Sequence, residues 1–276
     1  MIETILNEMS KDKIRVIIER KASETIGASR FGGKPDVPDE FDWPYYCGEN
    51  FGVETKNRPL SFMCQINCEE ASQYDSSGLL PQKGLLSFFY EEETARWGYS
   101  PKDKGCAKVY WFEDVSSLSK MEFPEDLYTD YRNPEIGISF KSEKSYPHIQ
   151  DIDFKHQVSE EEYDEYEEFM DAQDYGDWHQ LLGWPYIIQN NMTMECELIE
   201  RGYELGDGWD DVNEKDREEA NLYSLDKWIL LFQLDEIESD DFYLSFGDGG
   251  ILYYYIKKED LLRRKFDDVW LIYQCC

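Results

Sequence analysis

The chain reads as an α+β protein, mainly antiparallel β-sheet in two similar halves, with helices at the amino terminus and in mid-chain. Three observations predict this. Short apolar and aromatic runs bounded by glycine and proline recur, the fullest being Trp228–Leu234 and the aromatic run after Gly250. Three such runs repeat in the same order about 160 residues apart, a spacing that suggests internal duplication rather than a solenoid. Apolar residues fall at helical spacing only in the first 28 residues, after Ser159 and near the carboxyl end.

At the amino terminus, Ile2, Ile5, Leu6 and Met9 share one helical face, and Ile14, Ile17, Ile18, Ala22 and Ile26 recur similarly after Ser10. Two helices, or one broken helix, are expected over residues 1–28, with Gly27 as the stop. Residues 30–44 combine Gly32, Gly33, Pro35, Pro38 and Pro44 with Phe31 and Trp43, which predicts an irregular but packed loop.

Strands are expected at residues 59–67, 85–90 and 108–112. Their counterparts are residues 230–233, 250–252 and 269–273, so the halves are placed at about 30–115 and 179–276. Residues 116–178 then form a connector broken by Pro124, Pro134 and Pro147, with a strand at 136–140. Within it, Ser159 and Glu162 make a capping box, and Tyr163, Tyr166, Phe169 and Met170 share one face of the helix that follows. The rest of that helix is acidic: no basic residue occurs between Glu160 and Asp177. Residues 195–219 are expected to be an exposed acidic excursion, residues 235–241 an acidic loop, and residues 258–266 a short helix before the last strand.

With 276 residues, 41% of them hydrophobic, the chain can bury a substantial core. Sixty acidic against 28 basic residues give a net charge of -32, which argues against nucleic acid and favours encounter with basic proteins. The seven cysteines include no C-x-x-C pair, which predicts reduced, mostly buried thiols; Cys275 and Cys276 form an adjacent pair at the chain end. No apolar run reaches membrane-spanning length, and residues 1–4 do not resemble a signal peptide, so cytoplasmic residence is expected.

Gln65 and Gln233 lie inside apolar strands, where each amide must find partners or cost about 1–3 kcal/mol per unpaired group. They either hold the glycine-proline loops or line a cleft between the halves; Gln189 invites the same alternatives. Asp248, in Gly247-Asp248-Gly249-Gly250, carries a turn signal or a carboxylate for a ligand. Of the three histidines, His148, His156 and His179, only His179 precedes an aromatic loop, where it either fixes that loop or faces a ligand. Asp207, Asp210 and Asp211 lack the spacing of a twelve-residue calcium loop. No nucleophilic triad, metal motif or cofactor motif is present, so no catalytic residue, metal or cofactor is assigned.

Five motifs occur in order: Phe31-Gly32-Gly33-x-Pro35, Leu60-Ser61-Phe62-x-x-Gln65-Ile66-Asn67, Leu80-Pro81-x-x-Gly84-Leu85-Leu86, His179-x-Leu181-x-Gly183-x-Pro185-x-x-Ile188-Gln189 and Phe246-Gly247-Asp248-x-Gly250. Together they resemble the YwqG-like family, bacterial domains of unknown function. The sequence departs from that pattern at Leu182, where a glycine is usual, and at Phe246, where tryptophan is common. The resemblance implies a cytoplasmic protein of mixed helix and antiparallel sheet, and brings no activity with it.

Two functions follow from the residues. An acidic face including Glu160, Glu161, Asp164, Glu167, Glu168 and Asp171 would capture or inhibit a basic protein partner. Alternatively, Gln65, Gln189, Gln233, His179 and Asp248 would converge on a ligand-binding or hydrolytic pocket between the halves.

Overall fold

In a computed structural model, the described residues are 2–19, 21–50, 53–153, 158–173, 178–239 and 242–275. The first part of the chain runs α1 (Ile2–Met9), β1 (Lys11–Glu19), β2 (Arg30–Phe31), β3 (Asp36–Pro38), β4 (Tyr45–Asn50), β5 (Val53–Pro59), β6 (Ser61–Asn67), α2 (Cys68–Ala71), β7 (Leu85–Tyr90) and β8 (Ala107–Phe112). The middle adds β9 (Leu118–Lys120), β10 (Ile136–Ser145), α3 (Ile149–Asp153) and α4 (Glu160–Asp171). The remainder is β11 (Gln180–Leu181), α5 (Met192–Glu200), α6 (Glu214–Lys227), β12 (Trp228–Leu234), β13 (Ile237–Ser239), β14 (Phe242–Leu244), β15 (Ile251–Lys257), α7 (Lys258–Leu262) and β16 (Trp270–Gln274).

Ten strands form one antiparallel sheet in the order β16-β15-β12-β11-β1-β10-β2-β6-β7-β8. Its middle is the nine-residue pairing of β1 with β10, from Lys11 opposite Ser145 to Glu19 opposite Gly137. On either side stands a two-residue strand, then three longer ones. The expected connector therefore supplies a central strand.

The second amino-terminal helix predicted from Ile14, Ile17 and Ile18 is instead β1. Ile14 and Val16 are buried on either side of the partly covered Arg15, and the run is rich in β-branched residues that fit a pleated surface. A four-residue apolar recurrence fits both periods, and pairing on both edges decides for the strand. Gly27, expected to end a helix, lies in a loop at φ 79°, and its N–H donates to Asp36 Oδ2 at 2.7 Å.

The sheet is strongly curled. Phe88 of β7 and Phe232 of β12 are six strand positions apart, about 29 Å across a flat sheet. Their rings nevertheless lie with centroids 4.8 Å apart, and the Tyr254 ring is 5.2 Å from Phe88. The inner face thus closes on a shared core containing Phe62, Phe88, Phe232, Leu252 and Tyr254. On β15, Leu252, Tyr254 and Ile256 point into this core, while Ile251, Tyr253 and Tyr255 enter a second one beneath α5 and α6. Burial on both faces explains why that strand has no polar alternation.

A third cluster joins Ile2 and Leu6 of α1 to Ile152 and to Tyr166 of α4. The Ser159–Glu162 capping box forms as expected, whereas Tyr163, assigned to the apolar stripe, is 44% exposed. The expected acidic excursion at 195–219 is also revised, because α5 is almost wholly buried, Glu195 and Glu197 included. Lys227 at 2.6 Å, Arg201 and the Trp228 indole N–H satisfy Glu197, so a charged residue can occupy that interior. Likewise, part of the expected 235–241 loop pairs as the β13–β14 hairpin. Among the described residues, no helix is long and apolar enough to cross a membrane.

Candidate functional site

Two glycine-proline loops border the centre of the sheet, and a glutamine holds each. Arg30 of β2 pairs with Gln65, and Gln180 of β11 pairs with Gln233. The Gln65 amide donates to Ala28 O at 2.8 Å and to Asp36 Oδ2 at 2.7 Å, and accepts from Asp36 N at 3.0 Å. Gln233 donates to Trp178 O at 2.7 Å and accepts from Tyr186 N at 3.0 Å. Gly32 and Gly33 take φ 54° and 70°, while Leu182 and Gly183 take 59° and 74°. Leu182 therefore adopts a left-handed conformation costly for a residue with a Cβ. Its partner position could not accept one, since a Cβ on Gly32 would lie 2.1 Å from Pro134 O.

The first loop also contains a fully buried ion pair. Arg30 grips Asp36 through two 2.9 Å hydrogen bonds. Burial works to raise the Asp36 pKa, but Arg30, Gln65 and the Gly27 N–H outweigh it, leaving the carboxyl below the usual aspartate value.

The five residues expected to share a pocket do not converge. Gln65 and Gln233 are buried and engaged by loop backbone. His179 is buried 5.4 Å from the Phe31 ring, with Nδ1 accepting from Asp235 N at 3.1 Å. Burial, assisted by the charge of Arg15, lowers its pKa to about 3, so the imidazole stays neutral. Asp248 is an exposed turn residue between two left-handed glycines. Gln189 accepts from the Tyr99 hydroxyl at 3.0 Å and donates to Cys275 O at 2.8 Å. Of the five, Gln189 alone lines one of the four conspicuous cavities of the described residues. Gln65 and Gln233 thus spend their amides on the glycine-proline loops, whereas His179 Nε2 has no hydrogen-bond partner among the described residues. His156 and Cys276 lie outside the described residues.

A different cavity carries the features of a site. It encloses about 470 Å³ where the Leu182–Pro185 loop, the start of α5, the end of α6 and β15 meet. Leu182, Trp184, Met192 and Trp228 give it apolar walls. Lys11 and Lys258, both exposed, stand at its rim, with the Lys11 ammonium 3.5 Å from the Trp184 ring centroid.

Asp151 and Tyr255, exposed by only 2% and 1%, also line this cavity. Asp151 Oδ1 accepts from the Asn191 side chain, while its Oδ2 and the Tyr255 hydroxyl have no hydrogen-bond partner among the described residues. Asn191 is itself fixed as the N-cap of α5, accepting from Thr193 N at 3.1 Å and Met194 N at 3.2 Å. Burial pushes the Asp151 pKa up to about 7, against the opposing influence of Lys11, Asn191 and a backbone bond at His148. A carboxyl with that value can donate or accept a proton near neutrality.

Sequence reasoning missed Asp151, Asn191 and Tyr255. Asn191 was legible as a cap before an apolar run. Asp151 is one of sixty acidic residues, and Tyr255 is one of three consecutive tyrosines, so neither stood out.

No curated protein gives a significant match to the chain. Residues 29–275 match the family described as Domain of unknown function (DUF1963), a span that covers both glutamine-held loops and every residue lining the cavity just described except Lys11 and Asp12, and the chain belongs to that family.

Proposed function

We propose that the protein binds a small organic ligand in the cavity walled by Asp151, Asn191, Trp184 and Tyr255. The observation that carries this reading is the pair of buried polar groups without partners, Asp151 Oδ2 and the Tyr255 hydroxyl, on one cavity. Each unmet group costs about 1–3 kcal/mol, and a ligand offering a hydroxyl or carbonyl would recover that cost while its body packs on the tryptophans. The volume of about 470 Å³ falls in the range of small-molecule sites. The strained Leu182 on the same wall supports the reading, since backbone strain clusters at binding sites.

A thermal-shift screen of a fragment library tests it. Fragments that raise the melting temperature of the wild type should lose that effect in Asp151→Asn and Tyr255→Phe, both isosteric changes. Equal shifts in the wild type and both variants would remove this cavity from consideration.

A second reading rests on α4, where Glu160, Glu161, Asp164, Glu167, Glu168 and Asp171 are all exposed and no basic side chain intervenes. Together with the net charge of -32, this supports capture of a basic protein. A lysine-rich peptide should bind at low salt and be released as salt rises; charge reversal along α4 that leaves its affinity unchanged would exclude this face. The YwqG-like affiliation, a bacterial cytoplasmic setting and an internal duplication belong to the same inference, the last supported by the matching hydrogen bonds of Gln65 and Gln233.

A further inference from the structure

A second cavity, of about 820 Å³, is lined by Glu195 of α5 and by Trp97, Tyr99 and Trp209. Trp97 and Tyr99 lie with ring centroids 6.3 Å apart and planes inclined by 30°. The cavity's cationic side chain, Arg96, is engaged by Asp103, whose Oδ1 accepts from its Nε at 2.7 Å. Glu195 is 1% exposed, and its Oε2 has no hydrogen-bond partner among the described residues. The wall thus combines aromatic faces with a carboxyl that has spare acceptor capacity, while its basic group is already neutralised.

We propose that this cavity binds a small organic cation of the substituted-ammonium class, with Glu195 as its counter-ion and Trp97, Tyr99 and Trp209 as the surfaces that receive its alkyl groups. Aromatic faces attract such cations through the ring quadrupole, and a desolvated carboxylate completes the charge match. The overall charge of -32 raises the local concentration of any cation. This cavity shares no lining residue with the Asp151 cavity.

Proton balance follows from the buried state of Glu195. Burial raises its pKa to about 8, against hydrogen bonds from Asn190 and Gln274, so at neutral pH the empty site is mainly a protonated carboxyl. Binding converts that acid and the free cation into a carboxylate–cation pair and releases one proton to solvent. Affinity should therefore rise about tenfold per pH unit up to about pH 8 and level off above it. The neighbouring titratable groups are Tyr99, Tyr255 and Cys196, all held above their usual values by burial, with Cys275 near Tyr99, Glu204 exposed on the wall, and Asp103 paired to Arg96. The dependence assigned to Glu195 is isolated from theirs by substitution.

The test is calorimetric titration of the full chain with choline and with its uncharged isostere 3,3-dimethylbutan-1-ol, at pH 6, 7 and 8. Choline should bind, the neutral alcohol should not, and choline affinity should climb about tenfold from pH 6 to pH 7. Glu195→Gln, isosteric with the protonated acid, should melt no lower than the wild type while losing at least tenfold in affinity and the pH dependence. Trp209→Leu, in a half-buried loop position, should weaken binding without altering the pH profile. Absence of saturable choline binding to folded wild type, equal binding of the neutral alcohol, or unchanged binding by Glu195→Gln would each overturn the proposal.

Discussion

Gln65 and Gln233 make the same two contacts in different parts of the sheet: each accepts at 3.0 Å from the amide that follows a loop proline, Asp36 N or Tyr186 N, and each donates to the carbonyl two residues before a short strand, Ala28 O or Trp178 O. A strand interior thereby fixes a glycine-proline loop. Replacing either glutamine with leucine keeps the volume but removes the glutamine's bonds to a loop N–H and a loop C=O, leaving Ala28 O the long 3.5 Å bond from Arg30 Nη1. Each variant should lose about 2–5 kcal/mol in urea unfolding, and a loss below about 1 kcal/mol would show that the loops hold themselves.

The two loops differ in what they tolerate. Gly32→Ala would place a Cβ 2.1 Å from Pro134 O, a backbone atom that cannot swing away. It should destabilise the protein by more than about 4 kcal/mol or prevent folding. Leu182→Ala keeps the backbone and removes buried apolar volume, so a cost of about 2–4 kcal/mol is expected, with a larger cavity beside Trp184. Paired unfolding curves check the ranking.

Breaking the buried Arg30–Asp36 pair should cost about 3–5 kcal/mol, because Asp36→Asn leaves the buried guanidinium, for a counter-ion among the described residues, only the longer, 3.7 Å contact with the partly exposed Glu135. The sign of its pH dependence is set by the depressed Asp36 pKa. Its contribution is complete above the ordinary aspartate value and is lost as pH falls through the lower folded value. The advantage of wild type over Asp36→Asn should therefore be full at pH 5 and shrink below about pH 4.

Asp151 and Glu195 act in the opposite sense. Their folded pKa values, about 7 and about 8, exceed the usual carboxylate range, so the folded state keeps protons that the unfolded chain releases. Each should make stability fall by about 1.4 kcal/mol per pH unit between about pH 5 and pH 7. Asp151→Asn and Glu195→Gln should each remove one such share of the slope in urea unfolding measured across that interval. An unaltered slope would mean that the carboxyl in question is ionised in the folded protein.

Much of the sheet was legible from sequence because its strands are bounded by glycine and proline and carry continuous apolar runs, as Ser61–Asn67, Leu85–Tyr90 and Ile251–Lys257 do. β1 was misread because Ile14, Ile17 and Ile18 satisfy a helical spacing as well as a pleat, and only its two neighbours in the sheet decide between them. α5 was read as exposed because Glu195 and Glu197 look solvated; the partners that allow their burial, Lys227 and Gln274, are about 30 and 80 residues away in the chain. Gln65 and Gln233 were correctly singled out as needing partners. The cavity residue Asp151 had no local signature, since its distinction arises only from the fold that buries it.

The most direct test of the central claim is a crystal structure of the protein soaked with the fragments that raise its melting temperature. The account predicts density in the cavity between Trp184 and Trp228, with a polar ligand atom in hydrogen-bond reach of Asp151 Oδ2 or the Tyr255 hydroxyl. Fragments bound only elsewhere, with those two groups paired to protein atoms and the cavity closed, would contradict it.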